Sequence, residues 1–241
     1  MQTFTRIKLS PTAPDFIADP YQFYDRIRAL GDFVFWEDYD MPMATSHEAV
    51  KTVLNHPAFG REIPSAQRRS RPVHLATFHR IDDHSLMRQE PPEHTRLRSV
   101  AKKALQDNVI LLMAPNISRI SDQLIDAFPK ETAFDVQTKF ADQLTAITIL
   151  EFLGIPKDTQ PSVQSWARKM SALQLARRDR SVENAAERAA VQFFEFMDAH
   201  IKDRINKPPQ DDFIGRILDI KRTLTVEEIM ALVLLFVQAG V

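Results

Sequence analysis

From Ser181 to Asn206 the chain contains neither proline nor glycine. Its apolar residues recur there at helical spacing: Ala185, Ala186, Ala189, Ala190, Phe193, Phe194 and Met197 share one stripe. A stripe of that length must be laid against other elements, which commits the chain to a helical framework. The rest of the sequence agrees. Glycine is scarce, at 5 residues, while 15 prolines punctuate long stretches rich in Ala, Leu, Glu, Arg and Lys. Helices are expected over 92–105, 114–128, 138–153, 159–176, 181–206, 211–220 and from 225 to the end, with "AFDV" at 133–136 as a lone strand.

The N-terminal part reads differently. "DPYQFYDRIRALG" at 19–31 predicts a helix capped by Asp19, with Pro20 at its first position and Gly31 beyond its end. "FVFWE" and "MPMATS" around "DYD" predict a β-hairpin. "SHEAVKTVLNHPAF" returns to helix, with Ala49, Val50, Val53 and Leu54 on one face and Pro57 as its stop. Residues 56–90 hold Arg61, Arg68, Arg69, Arg71 and Arg80 with little periodicity, although "HLATFHRI" suits one short helix; such stretches are functional or disordered. The economical reading is one mainly α domain over 1–241 with a small N-terminal β part.

Charge and cysteine usage narrow the chemistry. Net charge is −1 with both signs interspersed, which argues against nucleic acid or a membrane surface as partner. The sequence has no cysteine, so disulfides, thiolate metal sites and thiol catalysis are excluded for these residues. The N-terminus lacks the apolar segment of a signal peptide. The longest apolar run, Ile229–Val237, is about half of a membrane span. The expectation is a soluble, cytoplasmic protein.

"EPPEHTRLR" at 90–98 places His94 and Arg98 four residues apart at a helix start. On a helical wheel Leu97, Val100, Ala101, Ala104 and Leu105 form the buried stripe. His94 and Arg98 lie at its border, and Arg96 points away. Such a pair suits a half-buried carboxylate or phosphate. Two blander alternatives stand beside that reading: a solvated rim, and a basic helix on nucleic-acid phosphate.

The same stretch resembles the C-helix start of soluble bacterial cytochrome P450 haem-thiolate monooxygenases, and the likeness is collinear along the chain. "ADPYQFYDRIRALGDFVFWED" resembles the family's first helix and strand, "EFLGIP" at 151–156 the end of its E helix, and "PPQDDFIGRIL" its H helix. "LTVEEIMALVLLFVQAG" resembles the opening of its I helix. The resemblance implies a truncated P450 fold, from helix A to the start of helix I. It implies that His94 and Arg98 bind a haem propionate, and that Ala239 and Gly240 begin the oxygen groove above the haem. Leu235 would face the substrate pocket. A small apolar substrate and a redox partner such as ferredoxin belong to the complete enzyme.

Three family features are absent from these residues: the acid–threonine pair of the I helix, the Glu-x-x-Arg helix and the cysteine loop. "EHTR" at 93–96 fits Glu-x-x-Arg by spacing alone. No catalytic residue and no metal ligand is therefore assigned, and the chain is expected to be inactive alone. The alternatives are half of a split enzyme completed in trans by a C-terminal chain, or a non-catalytic helical protein with a haem or apolar-ligand pocket. The apolar helix ending at Val241 is expected to lack its cover, which predicts self-association or a complementing chain.

Overall fold

The computed structural model describes residues 4–63, 70–105, 107–130, 132–175, 178–220 and 224–240. Its contacts fall into two compact units, Met1–Gly60 and Arg61–Val241.

The first unit is built on a three-stranded sheet. β1 (Thr5–Ile7) runs parallel to β2 (Phe33–Trp36), which pairs antiparallel with β3 (Met41–Ala44). The hairpin is the one that "FVFWE" and "MPMATS" predict, and Asp40 takes the left-handed conformation its turn needs, with φ 51°. β1 carries no such local signal, because its partner lies far along the chain. Helices α1 (Pro14–Ala18) and α2 (Tyr21–Arg28) make the crossover. Pro20, not Asp19, occupies the cap of α2, while Asp19 Oδ1 accepts from the Tyr21 amide at 3.1 Å. Phe16 anchors the unit, meeting Phe23, Tyr24 and Trp36 edge-on. In α3 (His47–Asn55), Ser46 accepts from the Ala49 amide as N-cap. Ala49 is buried, but Val50 and Leu54 on the expected apolar face are exposed.

The described residues of the second unit form helices joined by turns and loops, with no strand among them. A 3-10 turn (Val73–Leu75) leads into α4 (Ala76–Asp82), so the aperiodic stretch does contain the short helix that "HLATFHRI" suits. Part of that stretch, residues 64–69, lies outside the described residues. Then follow α5 (Glu93–Ala104), α6 (Asp107–Leu112), α7 (Ala114–Asp126), α8 (Asp142–Leu153) and α9 (Gln160–Ser171). The last three are α10 (Arg180–Ile205), α11 (Phe213–Asp219) and α12 (Val226–Gly240). Helix α6 was not expected from periodicity.

"AFDV" is not a strand. No strand lies beside it among the described residues, and Asp135 Oδ1 instead accepts from the amides of Gln137 (2.9 Å) and Thr138 (3.4 Å). That Asx turn opens a π-helical turn, Gln137–Ala141, leading into α8.

The core gathers on the predicted stripe of α10. Ala186, Ala189, Ala190, Phe193, Met197 and Ile201 are buried against α9, α4 and α12. Gly154 closes α8 with φ 86°, where a Cβ would stand 2.5 Å from Asp212 and 2.6 Å from Arg204. Asp212 both caps α11, accepting from the Gly215 amide at 2.8 Å, and pairs with the buried Arg204 at 2.9 Å.

The expectation of an uncovered terminal helix is overturned. In α12, Ile229, Met230, Ala231, Leu232, Val233, Leu234 and Val237 are all buried. Helices α4, α8, α9 and α10 of the same chain surround it. An all-round apolar helix demands cover on every side, and elements that precede it in sequence supply most of that cover. Leu235 and Phe236 remain half-buried.

Candidate functional site

Helix α5 divides its surface three ways. Leu97, Val100, Ala101 and Ala104 are buried, as the wheel predicts. His94 is half-buried and Arg98 exposed, and with Lys102 they form a ladder at successive four-residue steps. Together with Thr95, Ser99 and Lys103 they line an open groove of about 510 Å³. No carboxylate is in that lining. His94, Arg98, Lys102 and Lys103 make no side-chain hydrogen bond or ion pair among the described residues. Lys102 and Lys103 sit in the last turn, where cations suit the negative end of the helix dipole. The result is a basic surface with its charge uncompensated from within.

Arg96 does point away from this ladder, but it is not idle in solvent. Its guanidinium holds Glu93 at 2.7 Å and forks onto Glu228, with a second contact to Glu228 Oε2 at 3.4 Å. Glu228 is itself 8% exposed. The hydrogen bonds to Glu228, then to Glu93, raise the Arg96 pKa above its ordinary value. A helical wheel cannot reveal a partner more than a hundred residues away. The start of α12 holds the other half. Thr225 Oγ1 accepts from the Glu228 amide at 3.2 Å, and Glu228 Oε2 accepts from the Thr225 amide at 2.8 Å. This reciprocal cap is legible as Thr-x-x-Glu ahead of the apolar run. One carboxylate therefore caps α12 and fixes the rotation of α5, and so the direction in which the His94–Arg98 ladder faces.

Against the middle of α12 lies a cavity of about 120 Å³. Leu75, Phe78, Ile81, Leu173, Leu234 and Leu235 give it apolar walls. The structure thus places Leu235 at a cavity. Ala239 is exposed, and Gly240 is half-buried with Ile149 beside it, where a Cβ would meet that side chain at 3.3 Å. Neither lines this cavity.

The cavity wall formed by α4 is held by ionic contacts from α10 and α12. No side chain of its own caps α4. Glu187 of α10 does so, accepting from the amides of Thr77 (2.8 Å) and Phe78 (3.0 Å). His74 meets Glu183 at 2.8 Å. Arg80 pairs with Glu227 at 2.7 Å and lies 4.2 Å over the Phe194 ring. Hydrogen bonds from His74 and Arg80 respectively hold the Glu183 and Glu227 carboxyls below their ordinary range. These pairings join residues so far apart that sequence spacing offers no sign of them.

Among the described residues there is no cluster of His, Cys, Asp and Glu able to hold a metal ion, and no helix long and apolar enough to cross a membrane.

No protein-family model matches the chain. It is 32% identical over 163 residues to the polyketide biosynthesis cytochrome P450 PksS of Bacillus subtilis (strain 168), covering 66% of this chain and 38% of that protein. It is 24% identical over 241 residues to the biotin biosynthesis cytochrome P450 of the same organism, covering 97% and 59% respectively. Among solved structures, P450BioI in complex with hexadec-9Z-enoic acid ligated acyl carrier protein superposes with a TM-score of 0.84 at 24% identity. That match covers 94% of this chain and 59% of the other. The myxobacterial cytochrome P450 CYP267B1 in complex with myristic acid gives 0.80 at 27% identity, covering 95% and 58%. The chain therefore spans well under two thirds of the length of these relatives. It belongs to the cytochrome P450 family and corresponds to the N-terminal part of that fold.

Proposed function

We propose that this chain supplies the substrate-side half of a haem monooxygenase site: a ligand cavity against α12 and a basic clamp on α5. The observation that carries the reading is the uncompensated ladder of His94 and Arg98, locked in orientation by Arg96 and Glu228. A groove with basic side chains and no facing carboxylate fits the paired carboxylates of haem. His94 and Arg98 would hold a propionate there, and Ala239 and Gly240 would lie along the oxygen-binding side. Haem bound through a thiolate activates oxygen for insertion into a substrate C–H bond. That thiolate cannot come from these residues, which include no cysteine. In this reading the 241 residues bind and orient a small apolar substrate but do not catalyse alone. A redox partner such as ferredoxin serves the complete enzyme.

Titration of the chain with haemin, followed by absorbance, tests the clamp. Charge-assisted hydrogen bonds contribute roughly 1.5–3 kcal/mol each, so Arg98→Ala lowers haemin affinity roughly tenfold or more. Lys169→Ala, an exposed cation on α9, leaves it unchanged. Equal effects return the pair to a solvated rim. The reduced, carbon-monoxide-treated complex is expected to lack the red-shifted band of thiolate-bound haem, and its appearance would overturn the assignment of the chain as inactive alone.

The burial of α12 within this chain favours a second reading beside the first. A core completed to this degree suits a helical protein that folds by itself and binds an apolar ligand without catalysis. Ligand binding by the purified chain in the absence of haem is its signature.

A further inference from the structure

Among the polar groups at the α12 cavity, most are already occupied. Arg88 is held by Asp82 at 3.0 Å, Arg178 by Glu183 at 3.3 Å and by the Leu173 carbonyl at 2.7 Å. Ser85 Oγ accepts from the Met87 amide. Gln174 and Gln238 also line the cavity without a side-chain hydrogen bond among the described residues. Of the lining groups, His79 on α4 is the one whose polar atoms are buried and unpartnered, at both ring nitrogens.

Buried polar atoms are almost always paired, and an orphan calls for a physical account. Burial, then the neighbouring charge of Arg71, pushes the His79 pKa below its ordinary value; Asp82 and Asp83 pull the other way, and Arg88 adds to the lowering. Near neutral pH the ring is then uncharged, with one N–H donor and one acceptor nitrogen. The torsion about Cβ–Cγ is broad and roughly two-fold. Turning the ring about it exchanges carbon and nitrogen edges at the cavity wall.

We propose that His79 is the polar recognition point of this cavity, and that its ligand is a compact apolar group carrying one neutral hydroxyl or carbonyl oxygen. The inference rests on the reading of the cavity as the substrate site. A hydroxyl can give to or accept from the neutral ring, and a carbonyl can accept its N–H. A carboxylate gains no charge partner from it, and the nearby guanidiniums of Arg88 and Arg178 are already paired with acids. A wholly apolar ligand leaves both nitrogens orphaned. The size also restricts the ligand: an apolar cavity of roughly 150 Å³ takes up benzene, so about 120 Å³ admits a single ring or a short branched chain.

Benzene, cyclohexanol and cyclohexanecarboxylate serve as probes, titrated calorimetrically into the full chain and into His79→Phe, which keeps an aromatic ring there, somewhat larger, and removes both nitrogens. Cyclohexanol is expected to bind the unaltered chain about three- to tenfold more tightly than the variant. Benzene is expected to bind the variant at least as well, and the carboxylate to bind the unaltered chain more weakly than the alcohol. In protein labelled with nitrogen-15 in histidine, cyclohexanol shifts the His79 ring signals and benzene does not. That measurement needs no variant and stands even if His79→Phe folds poorly. Equal cyclohexanol affinity in both proteins, with benzene binding intact, overturns the role of His79 while leaving the cavity as a ligand site. Failure of both benzene and cyclohexanol to bind overturns the cavity reading itself, and the inference with it.

Discussion

Helices α5 and α12 are joined at one carboxylate and otherwise built on opposite principles. Helix α12 is apolar on every side through its middle, and its side chains disappear into the surrounding helices. Helix α5 commits only one stripe to the core and turns a ladder of unpaired basic side chains outward. Burial on all sides gives α12 its stability, and with it a rigid wall for the cavity. The exposed face of α5 contributes little to folding, which leaves its charges available for a ligand. The two helices separate what holds the unit together from what it presents to a partner, and Arg96–Glu228 keeps the two in register.

Deleting bulk from α12 strikes at burial, the principle on which that helix is built. Leu232 is fully buried, and Leu232→Ala is expected to cost about 2–5 kcal/mol, as large-to-small substitutions do where the surroundings cannot collapse. Urea unfolding followed by circular dichroism measures it. A loss below about 1 kcal/mol would show that α12 is loosely covered, as the sequence alone suggested. Next in size is the junction. Glu228→Ala removes one half of the reciprocal cap of α12, where a whole cap is worth roughly 0.5–2 kcal/mol, and takes a carboxylate from Arg96, whose side chain is already 38% exposed. The expected loss is about 1–3 kcal/mol. Haemin affinity should fall in the same variant, because α5 loses its rotational tether although no groove residue has changed. Unaltered haemin affinity would show that the ladder is oriented by the buried stripe alone.

The pH dependence sharpens the contrast from the cavity side. Burial holds His79 below its ordinary pKa, with Arg71 and Arg88 lowering it further against Asp82 and Asp83. Burial does the same to His200, reinforced by Arg204 and opposed by the Gly154 carbonyl, Asp212 and Asp203. For such groups the unfolded chain takes up a proton near pH 6.5 while the folded chain does not. Stability is thus full above that pH and is lost as pH falls through it. Between pH 7.5 and 5.5 the unfolding midpoint is expected to drop, and His79→Phe to drop less. A steeper loss in His79→Phe than in the unaltered chain would show that the imidazole is charged and partnered at the cavity.

Sequence exposed what is periodic or locally encoded, and hid what depends on distant partners. The stripe on α10, the hairpin around "DYD" and the buried face of α5 are all properties of spacing, and all appear in the structure. The strand β1 is three residues long and exists only because β2 lies beside it. "AFDV" has strand-forming residues but no partner strand among the described residues, and it turns instead. The apolar run of α12 revealed that it must be buried, but not that preceding helices could bury it. Of the candidate site, His94, Arg98 and Leu235 came from local pattern and family resemblance. Glu228 was available in the Thr-x-x-Glu cap, while Glu187 and His79 acquire meaning only once α4 is set against α10 and α12.

The smallest expected effect is the most discriminating. If the ladder on α5 is reserved for a ligand, removing one rung should not harm the fold. Arg98 is exposed and has no partner among the described residues, and its neighbour one turn further along α5 is the cation Lys102. Like charges at that spacing repel by about 0.2–0.5 kcal/mol per pair, and alanine is the better helix former. Arg98→Ala is therefore expected to be neutral or to stabilise the chain by up to about 0.5 kcal/mol in urea unfolding at low salt. The gain should shrink as salt screens the repulsion. Set beside its expected loss of haemin affinity, such a gain would identify Arg98 as a residue kept for binding at the expense of stability. A loss above about 1 kcal/mol would instead mark it as a structural residue and remove the difference between the outward face of α5 and the buried faces of α12.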